Sequence, residues 1–352
     1  MSISQFSQDK LKIAPANQVN PNSLDQFYKA IYPERFDFLQ SSWQWLNRTN
    51  EFPQLPLVAT YENQVIAHAG FMPIKIAFNG SYHTGAWFID LAVLPEFRRY
   101  RIGSQITQAW MEQFDFQMAI YCNEKSIVLF KKIGWIQSFK SFMQVIPIIP
   151  FNYPGFKKRL PHWLCNVGNL ISTPLLKIWF QQKAFSSNSY SIVDIDGGRL
   201  ADFSKKCLLR TPSKDCVSIV RDLDFLTWRV LSSPYKNHFK LLKTEFFECL
   251  FFISPMHDQS IDIMCVSDPT NSAMISKSIA TIATLNKGFK KDYIRFFTSN
   301  NSISDKVKKS FFSINSHPLF AIRSQSNFEQ SGNNNLDWEI ELIDSDFQWI
   351  KL

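Results

Sequence analysis

Residues Leu91-Ala92-Val93-Leu94-Pro95-Glu96-Phe97-Arg98-Arg99-Tyr100-Arg101-Ile102-Gly103-Ser104 run from an apolar strand, through a proline turn and a basic cluster, into an amphipathic helix. Such a connection suits a pyrophosphate, because the first amides of a helix lack internal acceptors and aim their N–H groups at an anion placed there. Gly103 keeps a side chain out of the way, and Arg98, Arg99 and Arg101 supply positive charge. The same residues also fit a buried strand and a capped helix without a ligand. Just upstream, Asp90 closes the apolar run Ala86-Trp87-Phe88-Ile89. A carboxylate partly withdrawn from water at that place is a candidate acceptor for the proton of an attacking amine. A carboxylate hydrogen-bonded to nearby backbone fits equally well. Glu124, on the adjacent strand end, is the second candidate base.

The elements that must position these residues are legible in the pattern. Runs at Leu57 to Tyr61, Val65 to Phe78 and Tyr82 to Leu94 are separated by Glu62-Asn63 and by Asn79-Gly80. Asn-Gly between β-rich runs marks a hairpin, because both residues tolerate positive φ. The three runs are therefore expected to form an antiparallel meander. Ile102, Ile106, Ala109 and Trp110 share one helical face, so a helix follows the turn. A strand at Gln117 to Cys122, a helix at Lys125 to Lys132 and a strand at Ile136 to Ile146 complete the order. Upstream, Ser23 opens a helical stretch interrupted near Pro33.

The turn resembles the acetyl-coenzyme A signature of the GNAT N-acetyltransferase superfamily, a strand ending LxVxP followed by R/Q-x-x-G-x-G/A, with Arg98 to Gly103 in the turn. Asn123 to Trp135 resembles that family's second motif, an Asn after the fifth strand and a helix ending in Gly-aromatic. The resemblance covers roughly residues 25 to 150. It implies that backbone groups of Leu91, Ala92 and Val93 meet the pantetheine arm of acetyl- or another acyl-coenzyme A, as an added strand would. It further implies that the amides from Arg99 through Tyr100, Arg101, Ile102 and Gly103 to Ser104 hold the pyrophosphate. Arg98 matches the cationic position of the motif, and Asn123 the residue that hydrogen-bonds the arm. Two residues depart from the pattern. Arg101 stands where the family has its first Gly, so its side chain must leave the turn or join the phosphates. Phe130 stands where many members carry a Tyr that protonates the departing thiolate, which leaves Tyr121 or water for that step.

The chain has 352 residues, a formal net charge of +8, 45% hydrophobic residues and 33 Phe, which fits two globular domains with thick apolar cores and anionic ligands. The expected fold class is α/β with mixed sheets: two modules, each a mostly antiparallel twisted sheet flanked by helices. A faint repeat supports this, Asp37-Phe38-Leu39 with Trp43 to Leu46 matching Asp224-Phe225-Leu226 with Trp228 to Leu231. The expected division is a flexible tail at 1–22, a coenzyme-binding domain at 23–150, a basic connector at 151–188 and a degenerate module at 189–352 that completes the acceptor pocket. After Ile261 to Val266 the second module has Ser267-Asp268-Pro269-Thr270 in place of a phosphate turn. No coenzyme is expected there.

Residues 151–193 contain no Asp or Glu but carry Lys157, Lys158, Arg159, Lys177 and Lys183 among aromatic residues. A basic surface against anionic lipid through 156–183 and a linker helix packed across both domains are the two readings. Six cysteines lie far apart without metal-ligand spacing, and Asp337, Asp344 and Asp346 lack a completing ligand set, so no metal is expected. His68 and His83 read as core or surface residues. With no apolar leader, no span of about 20 apolar residues and no nucleic-acid-reading motif, a cytoplasmic enzyme without nucleic-acid partners is expected. It would transfer an acetyl group from acetyl-coenzyme A to the amine of a small molecule or amino sugar. The alternatives are a protein-amine acetyltransferase and a coenzyme-binding sensor.

Overall fold

The structure is a computed structural model. It describes residues 6–48, 52–120, 122, 124–138, 141–209, 216–255, 259–316, 320–324 and 337–344. The first half runs β1 (Leu11–Pro15), α1 (Pro21–Ile31), α2 (Phe36–Leu46), β2 (Leu57–Tyr61), β3 (Gln64–Phe78), β4 (Ser81–Val93), α3 (Ile102–Met111), β5 (Phe116–Ile120), α4 (Glu124–Lys132) and β6 (Ile136–Ser138). There follow β7 (Phe142–Pro147), α5 (Pro154–Lys157), α6 (His162–Lys183), β8 (Ser191–Asp194), α7 (Gly197–Leu208), β9 (Cys216–Ile219), α8 (Leu223–Leu226), β10 (Phe239–Lys243), β11 (Glu248–Ile253) and β12 (Ser260–Val266). The chain closes with α9 (Ser272–Thr284), α10 (Asn286–Phe289), β13 (Tyr293–Thr298), α11 (Asn301–Ser310), β14 (Ile314–Ser316), β15 (Phe320–Ser324) and β16 (Asp337–Glu339). Two compact units result, one of residues 1–138 and 319–336 with 352, the other of residues 139–318 and 337–351.

The first unit is organised on the sheet path β1-β2-β3-β4-β5-β15-β6. The three strands of the meander form as the turn residues dictate. Glu62 and Asn63 sit at φ 49° and 66°, and Asn79 and Gly80 at 49° and 74°, so both hairpins use paired left-handed residues whose twist matches the strands. β1 pairs antiparallel with β2, Leu11 opposite Tyr61, so part of the expected flexible tail is an ordered edge strand. A polar sequence did not announce it, because an edge strand is held by backbone pairing and needs little apolar burial. On one face, Phe88, Trp110 and Trp135 cluster with ring centroids 4.3–6.3 Å apart.

The second unit's sheet has the order β14-β7-β13-β12-β11-β10-β8. Its core gathers Ile146, Phe180, Phe251, Ile263, Ile279 and Phe296. The succession of pairings is the same in both sheets: three antiparallel, one parallel, two antiparallel. In each, the first strand of the parallel pair carries a bulge, β4 between the rungs at His68 and Gly70 and β12 between the rungs at Leu250 and Phe251.

Two expectations change. The single strand expected at Ile136 to Ile146 is two strands, β6 in the first sheet and β7 in the second, where Ile146 pairs with Ile294. β15, from the second half of the chain, pairs with β5, Ala321 opposite Ala119. A linear boundary at 150 therefore does not follow the sheets. Each half donates one strand to the other half's sheet, and alternation with a period of two says which face a strand buries, not which sheet it joins. α9 ends at Thr284, and α10 closes on Lys290 in the left-handed conformation, φ 54°. No helix among the described residues is long and apolar enough to cross a membrane.

Candidate functional site

β4 is paired on both sides only over Gly85–Trp87 among the described residues. Toward β5 the parallel ladder joins Gly85–Trp87 to Phe116–Met118, and no further rung forms among the described residues. The last residues of β4, including half-buried Leu91, Ala92 and Val93, therefore lie beyond that ladder. Toward β3 the register slips between His68, opposite Ala92, and Gly70, opposite Ile89. Asp90 sits in this bulge at φ 50°. A non-glycine residue at positive φ is uncommon, and Asp is among the residues that tolerate it.

Buried polar groups brace the bulge. His68 Nδ1 lies 3.1 Å from the Asp90 carbonyl, which can only accept, so Nδ1 carries the proton and Nε2 accepts. Tyr28 Oη, 2.9 Å from Nε2, must then donate to it, while Trp43 Nε1 donates to Tyr28 Oη at 3.1 Å. Burial lowers the His68 pKa, which keeps the imidazole neutral, and burial pushes the Tyr28 phenol far up, so it stays protonated. Both ring nitrogens are thus engaged, which makes His68 a positioning residue for the bulge. Gly70 makes room for it: a Cβ there would stand 2.9 Å from His68 Cε1. The carboxylate of Asp90 accepts from Arg35 Nη1 at 2.8 Å, both side chains being largely buried. The sequence reading gave His68 no role, and only the Tyr and Trp forty and twenty-five residues away could have hinted at one.

The turn after β4 is a short 3₁₀ segment, Pro95–Tyr100, ending on Arg101 at φ 59° and ψ 22°. This is the position at which the family motif has Gly, and the left-handed backbone explains why: for a residue with a Cβ it costs about 1–2 kcal/mol. The Arg101 side chain leaves the turn and is exposed. α3 then begins without any side-chain cap, unlike α1, α7, α9 and α11, whose starts are capped by Asn20, Asp196, Asn271 and Asn300. A Cβ at Gly103 would meet only Val93 Cγ2, at 3.6 Å, so no packing demand explains a glycine that costs a helix about 1 kcal/mol. Arg98 Nε donates to the Val93 carbonyl at 3.0 Å and ties the strand end to the turn. Phe6 stacks on Tyr100 with centroids 4.1 Å apart, and Gln8 donates to Gln105 at 2.9 Å, so the segment before β1 borders the turn.

Of the remaining candidates, Glu124 is the exposed first residue of α4, where an acid also suits the helix dipole. Tyr121 and Asn123 lie outside the described residues. Phe130 is a core residue, 3% exposed and stacked on Trp135 at 4.6 Å. The structure thus brings together Asp90, Leu91–Val93 and Arg98–Ser104 along one strand-turn-helix unit.

Comparison with known proteins bears on this unit. The model of the acetyltransferase (GNAT) family matches residues 22–135. No curated protein matches the sequence. Among solved structures, a GCN5-related N-acetyltransferase from Kribbella flavida is 8% identical with a TM-score of 0.59, covering 92% of this chain and 73% of that one. Another from Anabaena variabilis is 12% identical with a TM-score of 0.57, covering 89% and 72%. Saccharomyces cerevisiae N-myristoyltransferase with bound myristoyl-coenzyme A is 8% identical with a TM-score of 0.52, covering 90% and 83%. At such identities the likeness is one of fold. Residues 22–135 are a domain of the GNAT acetyltransferase family.

Proposed function

We propose that this domain binds acetyl-coenzyme A, or another acyl-coenzyme A, along the end of β4 and the start of α3, and transfers the acyl group to an amine. The observation that carries the reading is the open start of α3, uncapped, flanked by arginines, and holding a glycine that nothing in the chain requires. The amides of Ile102 and Gly103 would take the pyrophosphate, beside the Ser104 amide that donates to the Arg101 carbonyl at 3.1 Å, with Arg98, Arg99 and Arg101 adding charge. Leu91, Ala92 and Val93 would offer backbone to the pantetheine arm on the side where β4 parts from β5. Arg99 lies over the Tyr100 ring at 4.8 Å, which sets the direction from which its guanidinium would approach.

For transfer, the amine must lose its ammonium proton so that nitrogen has a lone pair for the thioester carbonyl. The tetrahedral intermediate then expels the coenzyme thiolate, which takes a proton. Asp90, held at the bulge by Arg35 and His68, is the proposed proton acceptor, with Glu124 the second candidate. Phe130 has no proton to give, so the thiolate is protonated by Tyr121 or water. A small-molecule amine, an amino sugar foremost, is the preferred acceptor, and a protein amine the rival.

Two facts favour a second reading, a coenzyme-binding protein with little turnover: Asp90 is ion-paired, and Phe130 serves only the core. Calorimetry with acetyl-coenzyme A, paired with a free-thiol assay across amino sugars, amino acids and peptides, separates the readings. Binding with thiol release supports transfer, binding without release on any acceptor supports the second reading, and absence of binding overturns both. Asp90→Asn keeps a residue tolerant of positive φ. It should lower turnover about 100-fold, within the range expected for a lost general base, and leave coenzyme affinity intact. Unchanged turnover removes Asp90 as the base.

A further inference from the structure

α6 is apolar on two opposite sides. Its inner side holds Cys165 and Phe180, both buried, and packs Leu176 and Trp179 on the core of the second unit. The fit is specific: Gly168 receives the Phe151 ring so closely that a Cβ there would stand 2.6 Å from Phe151 Cε2. Asn169 accepts from the Phe151 amide at 2.9 Å and donates to Asn152 at 3.1 Å, and Asn152 donates to Asp292 at 2.9 Å. α6 is therefore anchored along one side.

Its other side faces solvent. Trp163, Val167, Leu170, Ile171, Leu175 and Ile178 are 49–77% exposed. At about 100° per residue they fall within an arc of about 140°, along a helix about 33 Å long. Isolated exposed apolar residues are ordinary, but a stripe of six on one anchored helix marks a surface that meets something.

The charges around the stripe say what. From 151 to 193 there is no Asp or Glu, and five cations stand there. Lys157, Lys158 and Arg159 are exposed just before the helix N-terminus, where the helix dipole favours anions, so they do not serve helix stability. Lys177 flanks the stripe and, with Lys287 and Lys290, lines a cavity of about 450 Å³ that also contains Thr173 and Phe180. The Thr173 hydroxyl is buried there without a hydrogen-bond partner among the described residues. A second copy of this chain docking face to face would bring like charges together, which disfavours it.

We infer that the outer side of α6 seats on an anionic lipid surface, its apolar stripe entering the headgroup boundary and its flanking cations meeting lipid phosphates. The helix lies in the surface rather than crossing it. The exposed Trp163 near one end is the side chain type favoured at such a boundary. Coenzyme binding by the first unit plays no part in this inference, so the two stand or fall separately.

Sedimentation of the full chain at low ionic strength, with vesicles of phosphatidylcholine alone and of phosphatidylcholine containing phosphatidylglycerol, tests it. The protein is expected to pellet with the anionic vesicles about tenfold more strongly, because each lysine or arginine near such a surface adds attraction. Leu170→Asp combined with Leu175→Asp should abolish pelleting without changing the melting temperature, since both side chains are exposed. The triple change Lys157→Gln, Lys158→Gln, Arg159→Gln, which leaves the stripe intact, should weaken pelleting and flatten its salt dependence. Absence of pelleting by the unaltered chain, or pelleting that survives the paired Asp changes, overturns the inference. So does self-association in analytical ultracentrifugation that the same changes remove, which would make the stripe an interface between copies.

Discussion

β4 leads into α3 in the first unit, and β12 leads into α9 in the second. The two connections occupy the same place in sheets with the same succession of pairings, yet their polar groups are satisfied in opposite ways. After β12 the chain caps itself: Val266 N donates to Glu341 at 2.9 Å, Thr270 N to Asp268 at 2.9 Å and Met274 N to Asn271 at 3.1 Å. Two of these acceptors are carboxylates, which would repel a phosphate. After β4 the helix start is uncapped and the neighbouring side chains are basic. One helix start is complete without a ligand, and the other, without a side-chain cap, is the one proposed to meet the coenzyme's pyrophosphate.

The buried polar groups differ likewise. In the second unit Arg221 donates to Asp344 through Nε at 2.9 Å and Nη2 at 2.5 Å, and to Glu339 at 3.1 Å, with Glu341 at 3.3 Å. Burial pushes the Asp344 carboxyl up, against the pull of Arg221. Asp344, one of the residues that invite a metal reading in sequence, is a partner of an arginine, and Asp346 lies outside the described residues. In the first unit a neutral chain of Trp43, Tyr28 and His68 braces the backbone of the bulge, and a single arginine, Arg35, holds the Asp90 carboxylate.

The largest effect expected from this contrast is in the second unit. Arg221→Met strands buried carboxylates and should destabilise the chain by about 3–5 kcal/mol in denaturant unfolding. Coenzyme affinity per folded molecule should not change, and a parallel loss would place the coenzyme in the wrong unit. Next, Ser104→Asp puts an anion on the open start of α3. Acetyl-coenzyme A affinity should fall about tenfold by calorimetry, about 1.4 kcal/mol, while thermal stability rises slightly, because an acid suits an uncapped helix start. Affinity that holds would remove the pyrophosphate from this turn.

Acid should expose the neutral chain. His68 in the folded protein has its pKa below the ordinary 6.5, so below that value the unfolded chain binds a proton that the folded one refuses. Stability is fully present above about 6.5 and declines as pH falls toward the folded value, by no more than about 1.4 kcal/mol per pH unit. Urea unfolding followed at several pH values should show this slope, and His68→Gln should remove its share of it. The smallest effect is Asn271→Ala, which removes the cap of α9 and should cost about 1 kcal/mol of stability with coenzyme binding untouched. Weakened binding would mean that α9 also serves the ligand.

Much of the first unit was readable because its signals are local. Glu62-Asn63 and Asn79-Gly80 fix two hairpins through backbone freedom, and the spacing of Ile102, Ile106 and Trp110 fixes α3 within a residue or two. The turn motif was readable for the same reason, since a helix start and its glycine are neighbours in sequence. What was missed depends on distance along the chain. Tyr28 and His68 are 40 residues apart, and Gln117 meets Arg323 across 206. The edge strand β1, the exchange of β7 and β15, and the Phe6–Tyr100 stack each require knowing which segments meet.

By itself the sequence determined the hairpin meander, the strand-turn-helix unit with its basic turn, and the absence of a matching turn after β12. These follow from propensities and spacings that act over a few residues. Tertiary structure decided that Arg101 takes a left-handed backbone, that Asp90 sits in a bulge paired to Arg35, and that Phe130 belongs to the core. It also decided that α6 buries one apolar side and bares the other, which residue types alone leave open, because only packing tells a covered apolar face from an exposed one.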